Sequence, residues 1–295
     1  MELEMIYLVL LGFGLSILFT KITIWRQIFL GLVAVDLHKK DKPKVPKIGG
    51  IGIALAFSGA MIAAYLIKGS LVYPIILTAF LVSCIFGLLD DYISFAPWRK
   101  IILASFGAIP LLLLIAWNPL TIIFVFGLVA VFSNWSNMLA GFNGLEIGLG
   151  AIALFFLALN TGAEHSALIL LIYSGILIGF LLFNRYPAKI FPGDSGTMPI
   201  GAVLAACTLL GAPLLDLFIL FIPHIIDSAL KFSSAGVMNS QDYKPSTVKK
   251  GYLVPGKSYL SLSKLLMRLK PMREWQLVAV FWMIEIGLGI ITLLI

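Results

Sequence analysis

Ten apolar runs divide the chain, and short polar segments separate them. A helix that spans a bilayer takes about 20 apolar residues, and most of the runs are close to that length. The break at Asn118-Pro119 separates the fourth run from the fifth. The pattern predicts an all-α integral membrane protein with ten transmembrane helices, at about 5–24, 48–67, 71–89, 101–117, 119–136, 145–160, 166–184, 196–212, 214–231 and 275–295.

The basic residues lie almost entirely on one side of this predicted topology. Of the 21 Lys and Arg residues, only Lys68 falls on the other side. Loops rich in Lys and Arg stay in the cytoplasm, so the loops that follow odd-numbered runs are predicted to be cytoplasmic and both termini extracytoplasmic. The predicted cytoplasmic loops are at about 25–47, 90–100, 137–145, 185–195 and 232–274.

The composition excludes a soluble globular domain. The chain is 60% hydrophobic and 12% charged, with a mean hydropathy of +1.05, whereas soluble domains carry roughly 25% charged residues. The net charge of +7 is explained by the basic cytoplasmic loops and does not indicate a nucleic-acid partner. Cys84 and Cys207 lie in apolar runs, so neither a disulfide framework nor a cysteine metal site is indicated.

The chain is predicted to be a single polytopic membrane domain over residues 1–295. No basic segment precedes the first run and no small-residue cleavage site follows it. We therefore interpret that run as a retained helix rather than a signal peptide.

An acidic pair is the first candidate for chemistry. Asp90 and Asp91 end the third run, and Lys100 opens the fourth. Adjacent carboxylates at a membrane interface repel each other and lose hydration unless a cation lies near them. The pair is interpreted either as part of a divalent-metal or phosphate site, or as a solvated cap of the loop.

A second candidate is the loop from Asn137 to Glu146. The side-chain amides of Asn137 and Asn143 suit hydrogen bonding to a nucleobase or coordination of a hard metal ion. Gly141 would let the backbone approach a ligand closely. A turn with ordinary helix caps is the alternative interpretation.

The third candidate is Phe191-Pro-Gly-Asp194, where a predicted cytoplasmic loop enters the eighth run. Asp194 could cap that helix. Alternatively, Asp194 holds Mg²⁺ on a diphosphate while Phe191 stacks on a base.

Ionisable residues inside the apolar runs need separate explanations. His224 and Asp227 lie in the ninth run, where a functional role and a paired structural role are both open. Glu285 in the last run is interpreted as making a hydrogen bond between helices.

Together these segments resemble the polyprenyl-phosphate N-acetylhexosamine-1-phosphate transferase family, which is glycosyltransferase family 4. Each motif is weak alone, but four occur in the family's order and on the same predicted side. The resemblance covers nearly the whole chain, through Asp36 with Lys47-Ile-Gly49-Gly50, Asp90-Asp91 with Lys100, the Asn137–Glu146 loop, and Phe191-Pro-Gly-Asp194.

The subfamily is indicated by two features. The sequence Asn143-Gly-Leu-Glu146 resembles the archaeal and eukaryotic dolichyl-phosphate GlcNAc-1-phosphate transferases, whereas bacterial relatives usually carry Asp-Gly there. The bacterial His-rich motif is also missing, since residues 239–273 contain no His. The resemblance thus implies a Mg²⁺-dependent transfer, with Mn²⁺ as an alternative ion, of GlcNAc-1-phosphate from UDP-GlcNAc to dolichyl phosphate.

The resemblance also implies a cytoplasmic active site, an archaeal cell membrane (an ER membrane if eukaryotic), and contacts with membrane lipids. It leaves a homodimer open. The sugar is expected to meet the stretch Ser240–Tyr252. The implied site residues are Asp90, Asp91 and Lys100 for catalysis, Leu37, Gly141, Asn143, Glu146 and Phe191 for the nucleotide sugar, and Asn137 and Asp194 for the metal.

Two alternatives remain at this stage. One is a bacterial-type undecaprenyl-phosphate transferase that uses another UDP-sugar. The other is a secondary transporter, although transporter charges usually lie near the bilayer midplane and the charges here cluster at predicted cytoplasmic helix ends.

Overall fold

Helices form nearly all of the fold in the computed structural model, which describes residues 2–39, 41–236, 246–256 and 258–295. Two short antiparallel hairpins accompany the helices. The helices are α1 Glu2–Leu30, α2 Gly50–Lys68, α3 Val72–Ile93, α4 Pro97–Ser105, α5 Pro119–Met138, α6 Leu145–Asn160, α7 Glu164–Asn184, α8 Asp194–Leu209, α9 Leu214–Leu220, α10 Ile222–Ala235, α11 Leu262–Leu269 and α12 Glu274–Thr292. The strands are β1 Val33–Val35, β2 Lys44–Pro46, β3 Thr247–Lys249 and β4 Tyr252–Val254.

Seven helical segments in the described residues are long and apolar enough to cross a membrane. They are α1, α2, α3, the segment Pro97–Leu114, α5, α7 and α12. The protein is therefore a multi-pass membrane protein. The other three predicted runs form shorter helices, so ten spans, the outward termini and the cytoplasmic site remain predictions.

The other three apolar runs form helices that are shorter than a typical membrane span. Helices α6 and α8 have 16 residues each and reach only about 24 Å at 1.5 Å per residue. The run at 214–231 is divided into α9 and α10 at Phe221. Pro223 follows this break in the first turn of α10, a position where its missing N–H costs no helical hydrogen bond.

Two helices continue past the ends of their apolar runs. Helix α1 ends at Leu30, and α3 continues through the acidic pair to Ile93. Polar residues in a last helical turn keep their backbone hydrogen bonds while their side chains leave the apolar region. Asp90 and Asp91 therefore lie on a helix rather than in a loop.

The predicted cytoplasmic loops also contain secondary structure that the hydropathy pattern did not reveal. Strand β1 pairs with β2 between α1 and α2, with Val33 opposite Pro46. Strand β3 pairs with β4, and α11 follows, in the segment before α12. These elements shape the segments that carry the candidate site residues.

Helices α7 and α8 lie at the centre of the molecule. Every residue from Ser195 to Cys207 on α8 is buried. A Cβ atom at Gly201 would lie 2.0 Å from the backbone oxygen of Phe132, so only glycine permits the close approach of α8 to α5. Small residues at such crossings are typical of membrane helix packing.

An aromatic cluster joins α2, α3 and α7. The ring centroids of Phe57 and Phe80 are 4.4 Å apart, and those of Phe57 and Tyr173 are 4.9 Å apart. All three side chains are fully buried. This packing sets the relative position of α2 and α3, whose ends carry candidate motifs.

Cysteine labelling tests the orientation of the chain. In a background of Cys84→Ala and Cys207→Ala, both buried positions, Asp41→Cys reports on the α1–α2 segment and Gly162→Cys on the α6–α7 segment. Both native residues are exposed. A membrane-impermeant maleimide added to intact cells is expected to label the Gly162→Cys variant, and to label the Asp41→Cys variant only after the cells are opened. The opposite pattern would invert the predicted topology.

Candidate functional site

Three segments, between α1 and α2, between α5 and α6 and between α7 and α8, converge on one pocket of about 370 Å³. Seven of the ten predicted site residues line this pocket. The other three, Asp90, Asp91 and Lys100, are joined to it through Asp194. The seven lining residues are Leu37, Asn137, Gly141, Asn143, Glu146, Phe191 and Asp194.

A larger cavity of about 490 Å³ lies between α3 and the segment that follows α4. Its lining residues include Pro74, Ile109 and Trp117, and none of them is titratable. Volume alone therefore does not identify the reactive site. The smaller pocket carries the carboxylates and amides that chemistry requires.

Lys100 lies between the carboxylates of Asp90 and Asp194. Its ammonium forms an ion pair with Asp90 and lies 3.0 Å from Oδ2 of Asp194. The backbone N–H of Phe95 donates to Oδ1 of Asp90 at 2.7 Å. One cation from α4 thus offsets two carboxylates, one from α3 and one from α8, and reduces their mutual repulsion.

Asp91 binds the N-terminus of α8. Its carboxylate accepts hydrogen bonds from the backbone N–H of Asp194 at 2.8 Å, from the backbone N–H of Ser195 at 3.2 Å and from the Ser195 hydroxyl at 2.8 Å. The first N–H groups of a helix have no partner within the helix, and a carboxylate there also interacts favourably with the helix dipole. Asp91 therefore fixes the position of Asp194.

Two glycines make room for this contact. Gly193 has a φ of +68°, and a Cβ atom there would lie 2.5 Å from Oδ2 of Asp91. A Cβ atom at Gly87 on α3 would lie 2.4 Å from the backbone oxygen of Asp194. The two glycines allow α3 and the start of α8 to approach each other closely.

The Phe191-Pro-Gly-Asp194 segment is also bound to the start of α2. The N–H of Gly49 donates to the oxygen of Phe191 and the N–H of Gly50 to the oxygen of Pro192, both at 2.8 Å. The N–H of Phe191 donates to the oxygen of Pro46 at 2.8 Å. Two motifs that are far apart in the sequence therefore form one rigid unit.

Asn137 and Asp194 offer the donor chemistry of a hard metal ion. Both line the pocket, and their side chains provide amide and carboxylate oxygens, which Mg²⁺ prefers. The hydroxyl of Thr197 donates to Oδ1 of Asn137 at 2.8 Å, which orients this oxygen at the first turn of α8. The Asp194 side chain is 23% exposed, so these residues fit the ion that the resemblance implies.

The Asn137–Glu146 loop is held by three carboxylates. The N–H of Gly141 donates to Oε1 of Glu146 at 2.9 Å, and the N–H of Asn143 donates to Oε1 of Glu274 at 2.8 Å. The side-chain amide of Asn143 donates from Nδ2 to Oδ2 of Asp36 at 2.9 Å. Glu146 thus shapes the loop, and Gly141 retains only its carbonyl for a ligand.

Lys39 and Glu274 are site-forming residues that the sequence did not reveal. The Lys39 ammonium lies 3.2 Å from Oδ2 of Asp36, forms an ion pair with Glu274, and lies 4.1 Å from the ring centroid of Tyr186. The spacing of Asp36 and Lys39 is a weak signal for their pairing. No local signal joins Lys39 to Glu274, which is 235 residues away.

Asp36, His38 and Glu274 have ligand atoms within 4.8 Å of one another. The ammonium of Lys39 already pairs with both carboxylates, and the His38 ring stacks on Phe142 at 4.9 Å. Burial lowers the pKa of His38. This cluster is therefore a network of ion pairs and hydrogen bonds around one ammonium.

Within the residues that the structure describes, Asp227 holds neighbouring helices together. Its carboxylate accepts from the N–H of Leu262 at 2.8 Å and pairs with Lys231 at 2.7 Å. The Lys231 ammonium also donates to the oxygen of Met138. These contacts join α10, the start of α11 and the end of α5, next to the Asn137 loop.

Comparisons with known proteins identify a family model and relatives that this chain resembles. The chain matches the model of glycosyl transferase family 4 over residues 73–212. It is 42% identical to a protein of Methanocaldococcus jannaschii that is provisionally named a glycosyltransferase, over 88% of this chain and 86% of the relative.

Two further relatives have more specific names. A protein of Sulfolobus acidocaldarius, provisionally named UDP-N-acetylglucosamine–dolichyl-phosphate N-acetylglucosaminephosphotransferase, is 31% identical over 96% of this chain and 94% of its own. The phospho-N-acetylmuramoyl-pentapeptide-transferase of Limosilactobacillus fermentum is 28% identical over 70% of this chain and 68% of its own.

Replacing Asp91 tests its contact with α8. Asp91→Ala removes an acceptor of three hydrogen bonds and is expected to lower the free energy of unfolding by about 2 kcal/mol. Asp41→Ala removes an exposed aspartate and is the matched control. Thermal unfolding in detergent measures both variants, and equal midpoints would show that Asp91 does not stabilise this junction.

Proposed function

Since the chain belongs to glycosyl transferase family 4, we propose that it transfers GlcNAc-1-phosphate from UDP-GlcNAc to dolichyl phosphate. The products would be dolichyl-diphospho-GlcNAc and UMP. Support comes from the archaeal relatives that carry this name and from the Asn143-Gly-Leu-Glu146 sequence. In this proposal the enzyme acts in an archaeal cell membrane, at the first step of lipid-linked oligosaccharide synthesis for N-glycosylation.

The main support for this proposal is the set of side chains that meet in one pocket. A single pocket has amide and aromatic side chains at Asn143 and Phe191 and a carboxylate at Asp194 that is paired with Lys100. A nucleotide diphosphate sugar has the matching parts, which are a planar base and a charged diphosphate. The family's acceptor, a polyprenyl phosphate, brings a second anion to the same place.

The reaction brings two anions together, so neutralising and aligning their charges lowers the barrier most. An oxygen of the lipid phosphate attacks the β-phosphorus of UDP-GlcNAc, a new P–O bond forms, and the bond to the bridging oxygen of UMP breaks. Lys100 would offset phosphate charge. Mg²⁺, held by Asp194 and Asn137, would supply further charge neutralisation on the diphosphate.

Asp90 and Asp91 have positioning roles in this proposal. Asp90 is paired with Lys100 and both oxygens of Asp91 accept from the start of α8. A phosphate monoester is largely ionised near neutral pH because its second pKa is about 6. The acceptor therefore needs alignment more than it needs a strong base.

The base end of the pocket would hold uridine. Phe191 would stack on the uracil ring, Leu37 would cover it, and Asn143 would form a hydrogen bond to its edge. The predicted sugar contact at Ser240–Tyr252 lies partly outside the described residues, since 240–245 are not described. The described part of that segment is the β3–β4 hairpin.

A transfer assay tests the proposed function. Purified protein in detergent is incubated with UDP-GlcNAc radiolabelled in the sugar, dolichyl phosphate and Mg²⁺. Label in the organic phase together with UMP release, both lost when EDTA is added, is the expected result. Transfer that requires undecaprenyl phosphate or another UDP-sugar would contradict the proposed substrates and keep the family. No transfer with any such pair would overturn the proposal and favour transport.

Phe191→Ala tests the stacking contact. Stacking of a base on an aromatic ring is worth about 1–3 kcal/mol, so the apparent KM for UDP-GlcNAc is expected to rise by roughly tenfold while kcat changes less. Phe191→Tyr retains the aromatic face and is the matched control. An unchanged KM in Phe191→Ala would remove the stacking role.

A further inference from the structure

The orientation of one amide in the pocket is determined by its neighbours. Asn143 is 6% exposed and lines the pocket. Its Nδ2 atom donates to Oδ2 of Asp36 at 2.9 Å. An ionised carboxylate can only accept hydrogen bonds, so the NH₂ group of the amide must face Asp36.

The carboxylate of Asp36 is itself held in place. It is 3% exposed, and Oδ1 accepts from the backbone N–H of His38 at 3.1 Å. The Lys39 ammonium lies 3.2 Å from Oδ2. Asp36 therefore presents a carboxylate that does not rotate freely.

The backbone of Asn143 is fixed from the opposite end of the chain. Its N–H donates to Oε1 of Glu274 at 2.8 Å, and Oε2 of Glu274 pairs with the same Lys39. Glu274 is 3% exposed. The main-chain N–H and one N–H of the side-chain amide of Asn143 are thus occupied before any ligand binds.

The carbonyl oxygen of the Asn143 amide is the side-chain acceptor left for a ligand. Within the described residues no donor is bonded to Oδ1 of Asn143. A carbonyl oxygen accepts a hydrogen bond and repels another lone pair. It therefore selects a base that presents an N–H at this edge.

We propose that Asp36 is a positioning residue for base specificity, because it holds the Asn143 amide with its carbonyl oxygen directed to an imide N–H of the base. Uracil has such a group at N3, whereas the corresponding atom of cytosine is an acceptor. This inference rests on the proposed function, since it assumes that the pocket binds the nucleotide of a nucleotide sugar.

A positioning role of Asp36 can be distinguished from a purely structural one. If Asp36 only supported the fold, changing it would weaken the binding of all nucleotides by the same factor. A positioning role changes the ratio between bases, because an asparagine at position 36 can either accept or donate. The Asn143 amide could then turn over and present its NH₂ group to the acceptor N3 of cytosine.

Calorimetric titration of the full-length protein in detergent with Mg²⁺ tests this inference. The wild type is titrated with UMP, CMP and N3-methyl-UMP, the last of which lacks the N3 hydrogen. UMP is expected to bind at least about tenfold more tightly than either of the others. Equal binding of UMP and N3-methyl-UMP would overturn the inference, and no binding of UMP would instead overturn the proposed function.

Variants locate the effect at Asp36. Asp36→Asn is expected to reduce the UMP-to-CMP affinity ratio by about tenfold, whereas Asp36→Glu, which remains an acceptor, retains a preference for UMP. Asp41→Asn, an exposed position in the same segment, is the matched control and keeps the wild-type ratio.

An unchanged ratio in Asp36→Asn, with both affinities lowered equally, would show a structural role only. If Asp36→Asn does not fold, the wild-type series and Asp36→Glu decide, and loss of the preference in Asp36→Glu would overturn the inference.

Discussion

The ion pairs of Lys100 with Asp90 and Asp194 are the interaction on which the site depends. Three charges from α3, α4 and α8 meet at the ends of helices that are otherwise apolar. Carboxylates near a bilayer are costly unless a cation offsets them. A single ammonium between two acids lets three helices end close together and leaves part of Asp194 open to the pocket.

Hydrogen bonds connect these ion pairs to the main chain that lines one side of the pocket. Asp91 fixes the first turn of α8, and the backbone of Gly49 and Gly50 binds the segment that precedes it. Such preorganised groups do not have to reorient when a charged ligand binds, which is the main source of electrostatic catalysis. The phosphate end of the proposed site is therefore built from main-chain contacts as much as from side chains.

The opposite end of the pocket is a second unit in which one ammonium pairs with two carboxylates. Lys39 pairs with Asp36 and Glu274, and both carboxylates hold Asn143. The two units differ in what they leave free. One leaves a carboxylate oxygen region at Asp194 that suits a cation, and the other leaves an amide carbonyl that suits an N–H donor. This division matches the diphosphate and the base of a nucleotide sugar.

The sequence by itself determined the membrane class, the helical content and seven of the lining residues, because hydropathy and motif chemistry depend on residues that are near each other in the chain. It also placed Asp90, Asp91 and Lys100 in one group. Only the tertiary structure decided that α3 continues through the acidic pair, that Asp91 binds α8, and that Glu274 reaches the backbone of Asn143. These features depend on how helices cross and where their ends meet, and that geometry is set by packing between residues far apart in the sequence, such as Gly87 against Asp194.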